Sequence, residues 1–293
     1  MIDIRPSRPE EAEAQKRLWQ QAFGDDQRYI DWFYECCWHP ENMLLLLEDD
    51  KLASMLALLP HDLTLPGGER AKAFYVYALA TDSAVRSKGY GRQLLHYVDF
   101  HLNARGADCV TVVPAEPSLF KFFGTVGFST GFSTRKVELL KDEAGEPRPG
   151  DCVEPASPET YNAIRDRLLE GTPSVLYGTE LIRYQEGMSR LSGGGLYRIM
   201  TGDAEGCAAV EYVDKDSVLF KELLVPEPQM VCRALAVFSR LLPGRRCYVR
   251  TPASWDGVSG SYIQPFGMIK WYHPDKARLW QEDTKGYMGL GFD

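Results

Sequence analysis

The sequence lacks the features that identify several large classes of protein. Its seven cysteines are an odd number and include no Cys-x-x-Cys pair, so the usual spacings of zinc sites and disulfide frameworks are missing. Its five histidines also lack the spacing of metal ligands. We therefore expect no metal, and reduced thiols of the kind that cytoplasmic proteins carry.

Long apolar runs and a basic balance of charge are absent too. The leucine-rich run at residues 43–47 is only as long as a strand. Charged residues begin at Asp3 and Arg5, which is unlike a secretory signal. The 33 Lys and Arg against 41 Asp and Glu give a net charge of −8, which disfavours nucleic acid and is compatible with a cationic substrate. We expect a cytoplasmic protein with no membrane or nucleic-acid partner.

Two common phosphate-binding motifs are also missing, but another glycine-containing loop lies between a strand-like and a helical segment. No Gly-x-Gly-x-x-Gly opens a helix, and no Gly-x-x-x-x-Gly-Lys-Ser/Thr occurs. Residues 86–91 read Arg-Ser-Lys-Gly-Tyr-Gly, between a strand-like segment at 74–80 and a helical one at 92–98. Glycines let the backbone approach a ligand, and the first amides of a helix have no partner inside it. The pattern predicts a pyrophosphate site, with a simple tight turn as the alternative.

The order of predicted elements divides the chain. Residues 1–140 predict a strand, two helices, four strands, a helix, a strand, a helix and a strand. Residues 141–157 are rich in Pro, Gly and acids and are the best candidate for a linker. Residues 158–293 predict a second domain of helices and strands.

The second half repeats part of the first. Residues 106–115 align with residues 244–253, with Gly, Cys, Pro and Ala in the same places. Because an apolar helix and a long strand precede each copy, we interpret this as a duplication. The phosphate loop itself is not repeated: its counterpart at 225–229 reads Val-Pro-Glu-Pro-Gln, and prolines have no amide to donate.

The chain resembles the GNAT superfamily of acyl-CoA-dependent N-acyltransferases. The residues that carry the resemblance are Leu79-Ala80-Thr81, the loop at 86–91 as the family's Arg/Gln-x-x-Gly-x-Gly/Ala, Pro114-Ala115, and the late helix at 119–128 that ends in Gly-Phe. The tandem layout is similar to the first two domains of the enhanced-intracellular-survival type acetyltransferases.

The resemblance implies an α+β fold of two tandem GNAT-like domains, each a mixed, mostly antiparallel sheet flanked by helices. The first, at 1–140, would hold acetyl-CoA as acyl donor, and the second, at 158–293, would lack the pyrophosphate loop. The implied cofactor-binding residues are Leu79, Ala80, Thr81, Arg86, Ser87, Lys88, Gly89, Tyr90, Gly91, Arg92 and Phe123.

No catalytic side chain follows from the sequence. Many family members have a tyrosine at the position of Phe123, where it protonates the departing thiolate, and phenylalanine has no proton to give. Other candidates for acid or base, each with a structural alternative, are Tyr75, Tyr77, Tyr90, Glu116 and Asp293.

The resulting hypothesis is an acetyl-CoA-dependent N-acetyltransferase that acts on a small-molecule primary amine. The alternatives are a CoA-binding GNAT-like protein with little or no catalysis, and a tandem scaffold for a protein partner. The acceptor and the oligomeric state stay open, because one fold serves many substrates.

Overall fold

The computed structural model describes residues 1–239, 241–242, 244–256, 258–281 and 283–293. In this part of the chain we number thirteen strands and eight α-helices. The strands are β1 (Ile2–Pro6), β2 (Met43–Glu48), β3 (Lys51–Thr64), β4 (Arg70–Thr81), β5 (Cys109–Val112), β6 (Ser129–Leu140), β7 (Cys152–Pro155), β8 (Ser174–Leu176), β9 (Gly195–Thr201), β10 (Ala204–Tyr212), β11 (Ser217–Leu224), β12 (Arg246–Pro252) and β13 (Tyr262–Trp271). The helices are α1 (Ala12–Phe23), α2 (Gln27–Cys36), α3 (Tyr90–Ala104), α4 (Pro117–Gly124), α5 (Pro158–Leu168), α6 (Thr179–Leu191), α7 (Val231–Phe238) and α8 (Pro274–Leu279).

The chain forms two compact units. Unit 1 contains Met1–Leu63, Arg70–Thr130 and Gly267–Gln281, and unit 2 contains Thr64–Glu69, Gly131–Phe266 and Glu282–Asp293.

This division differs from the predicted boundaries of 1–140, 141–157 and 158–293. A segment near the C-terminus, 267–281, belongs with the N-terminal part of the chain. The candidate linker belongs to unit 2 and contains β7, which pairs with β9. Asp151 ties it there, since its carboxylate accepts hydrogen bonds from Arg233 Nε at 2.9 Å and from the Gly202 amide at 3.1 Å.

The sheet of unit 1 has the strand order β1-β2-β3-β4-β5-β13. The pairs β1–β2 and β2–β3 are antiparallel, β4–β5 is parallel, and β13 closes the row antiparallel to β5. The sequence around Pro60 predicts two separate strands, at 52–59 and 62–65, but the structure has one continuous strand there, β3. Its pairing with β2 stops at Ala57, so the missing amide of Pro60 interrupts no bond to β2.

Helix α3 covers one face of this sheet. Its buried residues recur every three or four positions, as in an amphipathic helix. They pack against Phe74 and Val76 of β4, which point to the same face because side chains alternate along a strand. The buried residues of α3 are Tyr90, Leu94, Leu95, Val98 and Leu102. This packing fixes where the helix begins relative to the end of β4.

Unit 2 repeats the arrangement of unit 1. Its strand order is β7-β9-β10-β11-β12-β6, with the parallel pair again between the fourth and fifth strands. In each unit two helices follow the first strand, and another helix connects the parallel pair. The α+β class with mixed, mostly antiparallel sheets is therefore confirmed.

Candidate functional site

The predicted phosphate loop connects β4 to α3. A short 3-10 turn at Ser83–Val85 follows β4, and Asp82 caps it by accepting a hydrogen bond from the Ala84 amide at 2.9 Å. Gly89 is the N-cap of α3, with φ +80° and ψ +16°. Glycine adopts this left-handed conformation at little cost, whereas alanine loses about 1 kcal/mol there.

The amides of residues 87–92 form the centre of the site. None of them donates a hydrogen bond to another residue in the described part of the chain. The first bond back to the helix cap runs from the Gln93 amide to the Gly89 carbonyl, at 3.0 Å. Three of these amides begin α3, where the helix dipole adds partial positive charge. The local structure is thus suited to bind an anion.

The cationic side chains around the loop fall into two groups. Arg86 and Arg92 are exposed, and neither forms an ion pair with a residue that the structure describes. Lys88 instead holds the Glu48 carboxylate at the end of β2, with Nζ at 2.8 and 2.9 Å from its two oxygens. Glu48 raises the pKa of Lys88, and Lys88 lowers the pKa of Glu48.

The end of β4 lies beside the start of α3. Thr81 Oγ1 is 2.9 Å from Ser54 Oγ and 3.6 Å from the position that a Cβ on Gly91 would take. The Ser54 hydroxyl also lies 2.7 Å from the Ala80 carbonyl oxygen. Leu79 is half-buried against the core on the α3 side. The structure therefore brings Leu79, Ala80 and Thr81 together with the loop, as the sequence predicts.

Strands β4 and β5 separate next to the loop. They pair in parallel only from Ala73–Cys109 to Val76–Val112, while β4 continues to Thr81. Within this unpaired stretch, Ala78 has a φ of +49°. A left-handed residue in a strand is typical of a β-bulge, which bends the strand and often lies next to active sites. The sequence gives no signal for it, because alanine does not favour this conformation.

Phe123 lies in the core of unit 1. Its side chain is 4% exposed, and its ring packs against Phe122 and Phe128 at centroid distances of 5.3 and 5.6 Å. Both the contact with a cofactor and the consequence of the missing hydroxyl stay predictions.

The three candidate tyrosines are packed. Tyr75 and Tyr77 stack at 5.8 Å, and the Tyr77 hydroxyl lies 2.9 Å from the Tyr29 hydroxyl. Tyr77 also packs edge-on against Trp19 at 5.6 Å. Tyr90 is buried at the start of α3, and the nearby Glu48 carboxylate raises the pKa of its phenol. A higher pKa keeps the Tyr90 phenol protonated at neutral pH.

The two candidate acids occupy different surroundings. Glu116 is exposed before α4 and accepts a hydrogen bond from Ser118 Oγ at 2.6 Å. Asp293 belongs to unit 2, where its backbone oxygen accepts from Lys221 Nζ at 2.6 Å and its side chain from Arg250 at 2.7 Å. Although burial raises it, these two cations hold the pKa of Asp293 well below its ordinary value.

The counterpart of the loop in unit 2 has a different structure. Residues Pro228–Met230 form a 3-10 turn, and α7 begins directly after it with Met230 as N-cap. Pro226 and Pro228 carry no amide hydrogen. Unit 2 therefore offers fewer donors at this place than the loop of unit 1.

The sequence of the N-terminal part matches a known family. Residues 3–130 match the family described as "Acetyltransferase (GNAT) domain". Residues 3–130 therefore form a GNAT acetyltransferase domain. This region contains the loop at 86–91 and the strand with the left-handed Ala78, so the GNAT assignment and the geometry agree.

Solved structures of GNAT proteins share the fold of the chain. A GCN5-related N-acetyltransferase from Anabaena variabilis is 14% identical with a TM-score of 0.74, over 94% of this chain and 74% of that one. A probable N-acyltransferase from Enterococcus faecalis is 11% identical with a TM-score of 0.70, over 92% and 73%. Eis1 from Mycobacterium abscessus is 15% identical with a TM-score of 0.65, over 92% and 73%. No curated protein sequence matches this chain.

Two further properties concern the described residues as a whole. They contain no group of three or more His, Cys, Asp and Glu residues that could hold a metal ion. None of the helices in the described ranges is long and apolar enough to cross a membrane.

Proposed function

We propose that the protein is an acetyl-CoA-dependent N-acetyltransferase that acts on a primary amine of a small molecule, with one donor site, in unit 1. The observation that carries the proposal is the set of undonated amides at residues 87–92, next to the point where β4 leaves β5. The GNAT domain match supports the same activity.

Each part of this region has a chemical role in the proposal. The amides of residues 87–92, with Arg86 and Arg92, would bind the diphosphate of the donor. The edge of β4 beyond Val76 would pair with the pantetheine arm as an added strand does. The acetyl thioester supplies an activated carbonyl carbon to the amine.

Two demands of the chemistry fall on the protein. A lysine-like amine has a pKa of about 10.4, so it must lose a proton before it attacks. The oxygen that becomes negative during attack needs a donor, and a backbone amide near the left-handed Ala78, where β4 no longer pairs with β5, is suited to this. Burial of Tyr75 and Tyr77 favours packing over proton transfer, so we assign no side chain as acid or base.

A second candidate function is binding of CoA without turnover. It is favoured by Phe123, which has no hydroxyl to protonate a leaving thiolate. A general acid contributes about 10²- to 10⁴-fold in rate, so its loss alone slows the reaction without preventing it.

The experiment has two arms. In the first, acetyl-CoA at about 100 times its Kd stabilises the native state by about 2.7 kcal/mol and raises the melting temperature. Gly89→Glu places a carboxylate at the diphosphate site and abolishes the shift. Gly68→Glu is the matched control, because both glycines have positive φ and open space around the Cβ position.

The second arm measures release of the CoA thiol with a panel of amines. Turnover on at least one amine supports the enzyme. Binding without turnover on any amine favours the second candidate, and the absence of any shift with acetyl-CoA contradicts both.

A further inference from the structure

Lys88 is the basic residue nearest the centre of the loop, yet its charge is already neutralised. Its ammonium contacts both oxygens of Glu48, at 2.8 and 2.9 Å. Glu48 ends β2, forty residues earlier in the chain, and its side chain is 28% exposed against 49% for Lys88. The pair therefore connects the loop to a neighbouring strand of the sheet.

Tyr90, the first residue of α3, lies beside this ion pair. The Lys88 ammonium lies 5.7 Å from the centre of the Tyr90 ring, and the Glu48 carboxylate raises the pKa of the Tyr90 phenol. The ion pair is thus formed at the residue before the left-handed Gly89.

Arg86 and Arg92, unlike Lys88, have no acidic partner among the described residues. Both are exposed. An anion that approaches the loop can therefore attract them without breaking an existing pair. To recruit Lys88, the anion would have to leave the Glu48 carboxylate unpaired near its own negative charge.

We propose that Glu48 decides which cations bind the donor: it holds Lys88 in an ion pair, so that the diphosphate is bound by the amides and by Arg86 and Arg92, and not by Lys88. This inference rests on the proposed function. It predicts that the contribution of Lys88 to binding depends on whether Glu48 is charged.

The test is a double-mutant cycle in which calorimetry measures the Kd of each variant for acetyl-CoA and for inorganic pyrophosphate. The variants are Glu48→Gln, Lys88→Gln and their combination, with Arg86→Gln for comparison. Asp50→Asn is the matched control, because it removes one exposed negative charge two residues from Glu48, at a residue with φ +62° that Asn tolerates. Melting temperatures without ligand report on folding.

The expected effect of Lys88→Gln on Kd depends on whether residue 48 is Glu or Gln. Lys88→Gln alone changes Kd less than about 2-fold, whereas Arg86→Gln weakens binding about 5-fold at low salt. Glu48→Gln tightens binding about 5-fold, because it removes a repulsive charge and frees Lys88. Lys88→Gln in the Glu48→Gln background then weakens binding about 5-fold, and 0.5 M salt reduces these differences.

Two outcomes overturn the inference in different ways. If the unaltered protein binds acetyl-CoA but Lys88→Gln costs as much as Arg86→Gln, or Glu48→Gln does not tighten binding, Lys88 is an ordinary phosphate ligand and the proposed function still stands. If the unaltered protein binds neither acetyl-CoA nor pyrophosphate, the proposed function fails and this inference with it.

Discussion

The left-handed alanine in β4 gives the most direct test of the relation between fold and activity. Ala78 has a φ of +49° and is half-buried, two residues after Val76, the last residue of β4 that pairs with β5. For a residue with a Cβ, this conformation costs about 1–2 kcal/mol. Valine is branched at Cβ and is a severe outlier there. We therefore expect substitutions at this position to rank by tolerance of positive φ, not by hydrophobicity.

The expected magnitudes follow from that cost. Ala78→Gly relieves about 1 kcal/mol of strain but adds about 0.5–1 kcal/mol of unfolded-state entropy, so the free energy of unfolding changes little. Ala78→Asn is also tolerated. Ala78→Val relieves its strain by straightening β4, and a one-residue slip would turn Ala80 and Thr81 to the opposite faces of the sheet. The loss of one oxyanion donor lowers kcat about 10²- to 10³-fold.

The assay is steady-state thiol release with the best amine of the panel, together with the Kd for acetyl-CoA and the melting temperature. We expect Gly and Asn variants to retain activity and the Val variant to lose it while remaining folded. A Val variant with the kcat and melting temperature of the unaltered protein would refute the proposed role of the left-handed residue.

Two buried groups give predictions on stability. His61 is 7% exposed, and burial lowers its pKa to about 4. Since the unfolded state, with a pKa near 6.5, takes up the proton first, stability is lost as pH falls from 6.5 towards 4; this amounts to about 2 kcal/mol between pH 7.5 and 5. Urea unfolding of His61→Gln at both pH values should lack this part of the loss; an equal loss in both proteins would contradict the assignment. In unit 2, the Arg165 guanidinium lies 2.9 Å from the Glu222 carboxylate, and both side chains are buried. Glu222→Gln leaves this guanidinium buried without its counter-charge. We expect a loss of about 3–5 kcal/mol in urea unfolding, against under about 0.5 kcal/mol for the exposed control Glu227→Gln; similar values for the two would show that the pair is unimportant.

The parts of the site that depend on local sequence could be predicted. A strand, a loop with two glycines and an amphipathic helix are each specified by neighbouring residues, and the structure has them in the predicted order. Gly89 adopts the left-handed conformation that its residue type favours. These features place the amides, so the centre of the candidate site follows from residues 74–98 alone.

The parts that depend on distant residues could not be predicted. The pairing of β13 with β5 joins Met268 to Val112, and no local pattern in either strand specifies the partner. The ion pair of Lys88 with Glu48 links a loop to the end of a strand that lies forty residues earlier in the chain. Ala78 is a third case, because the surrounding sheet imposes a conformation that alanine itself does not favour.

The contrast between the two units explains why one of them is suited to a donor and the other is not. In unit 2 the counterpart of β4 is β11, and its end carries Lys221 and Glu222, both fully buried. Buried charges are tolerated only when they are paired, and here Glu222 pairs with Arg165 and Lys221 with Asp293. The nearby C-terminal residues are packed closely, since a Cβ on Gly289 would overlap the Glu222 carboxylate.

An acyl donor at this place in unit 2 would have to separate these charge pairs and displace buried C-terminal residues. Removing one partner of a buried pair costs about 3–5 kcal/mol, which would offset much of the binding energy of a small ligand. In unit 1 the corresponding strand ends in Leu79, Ala80 and Thr81, with no charge to neutralise, and leads to amides that lack partners among the described residues. The same strand order therefore accompanies the candidate donor site in one unit and a core of buried ion pairs in the other.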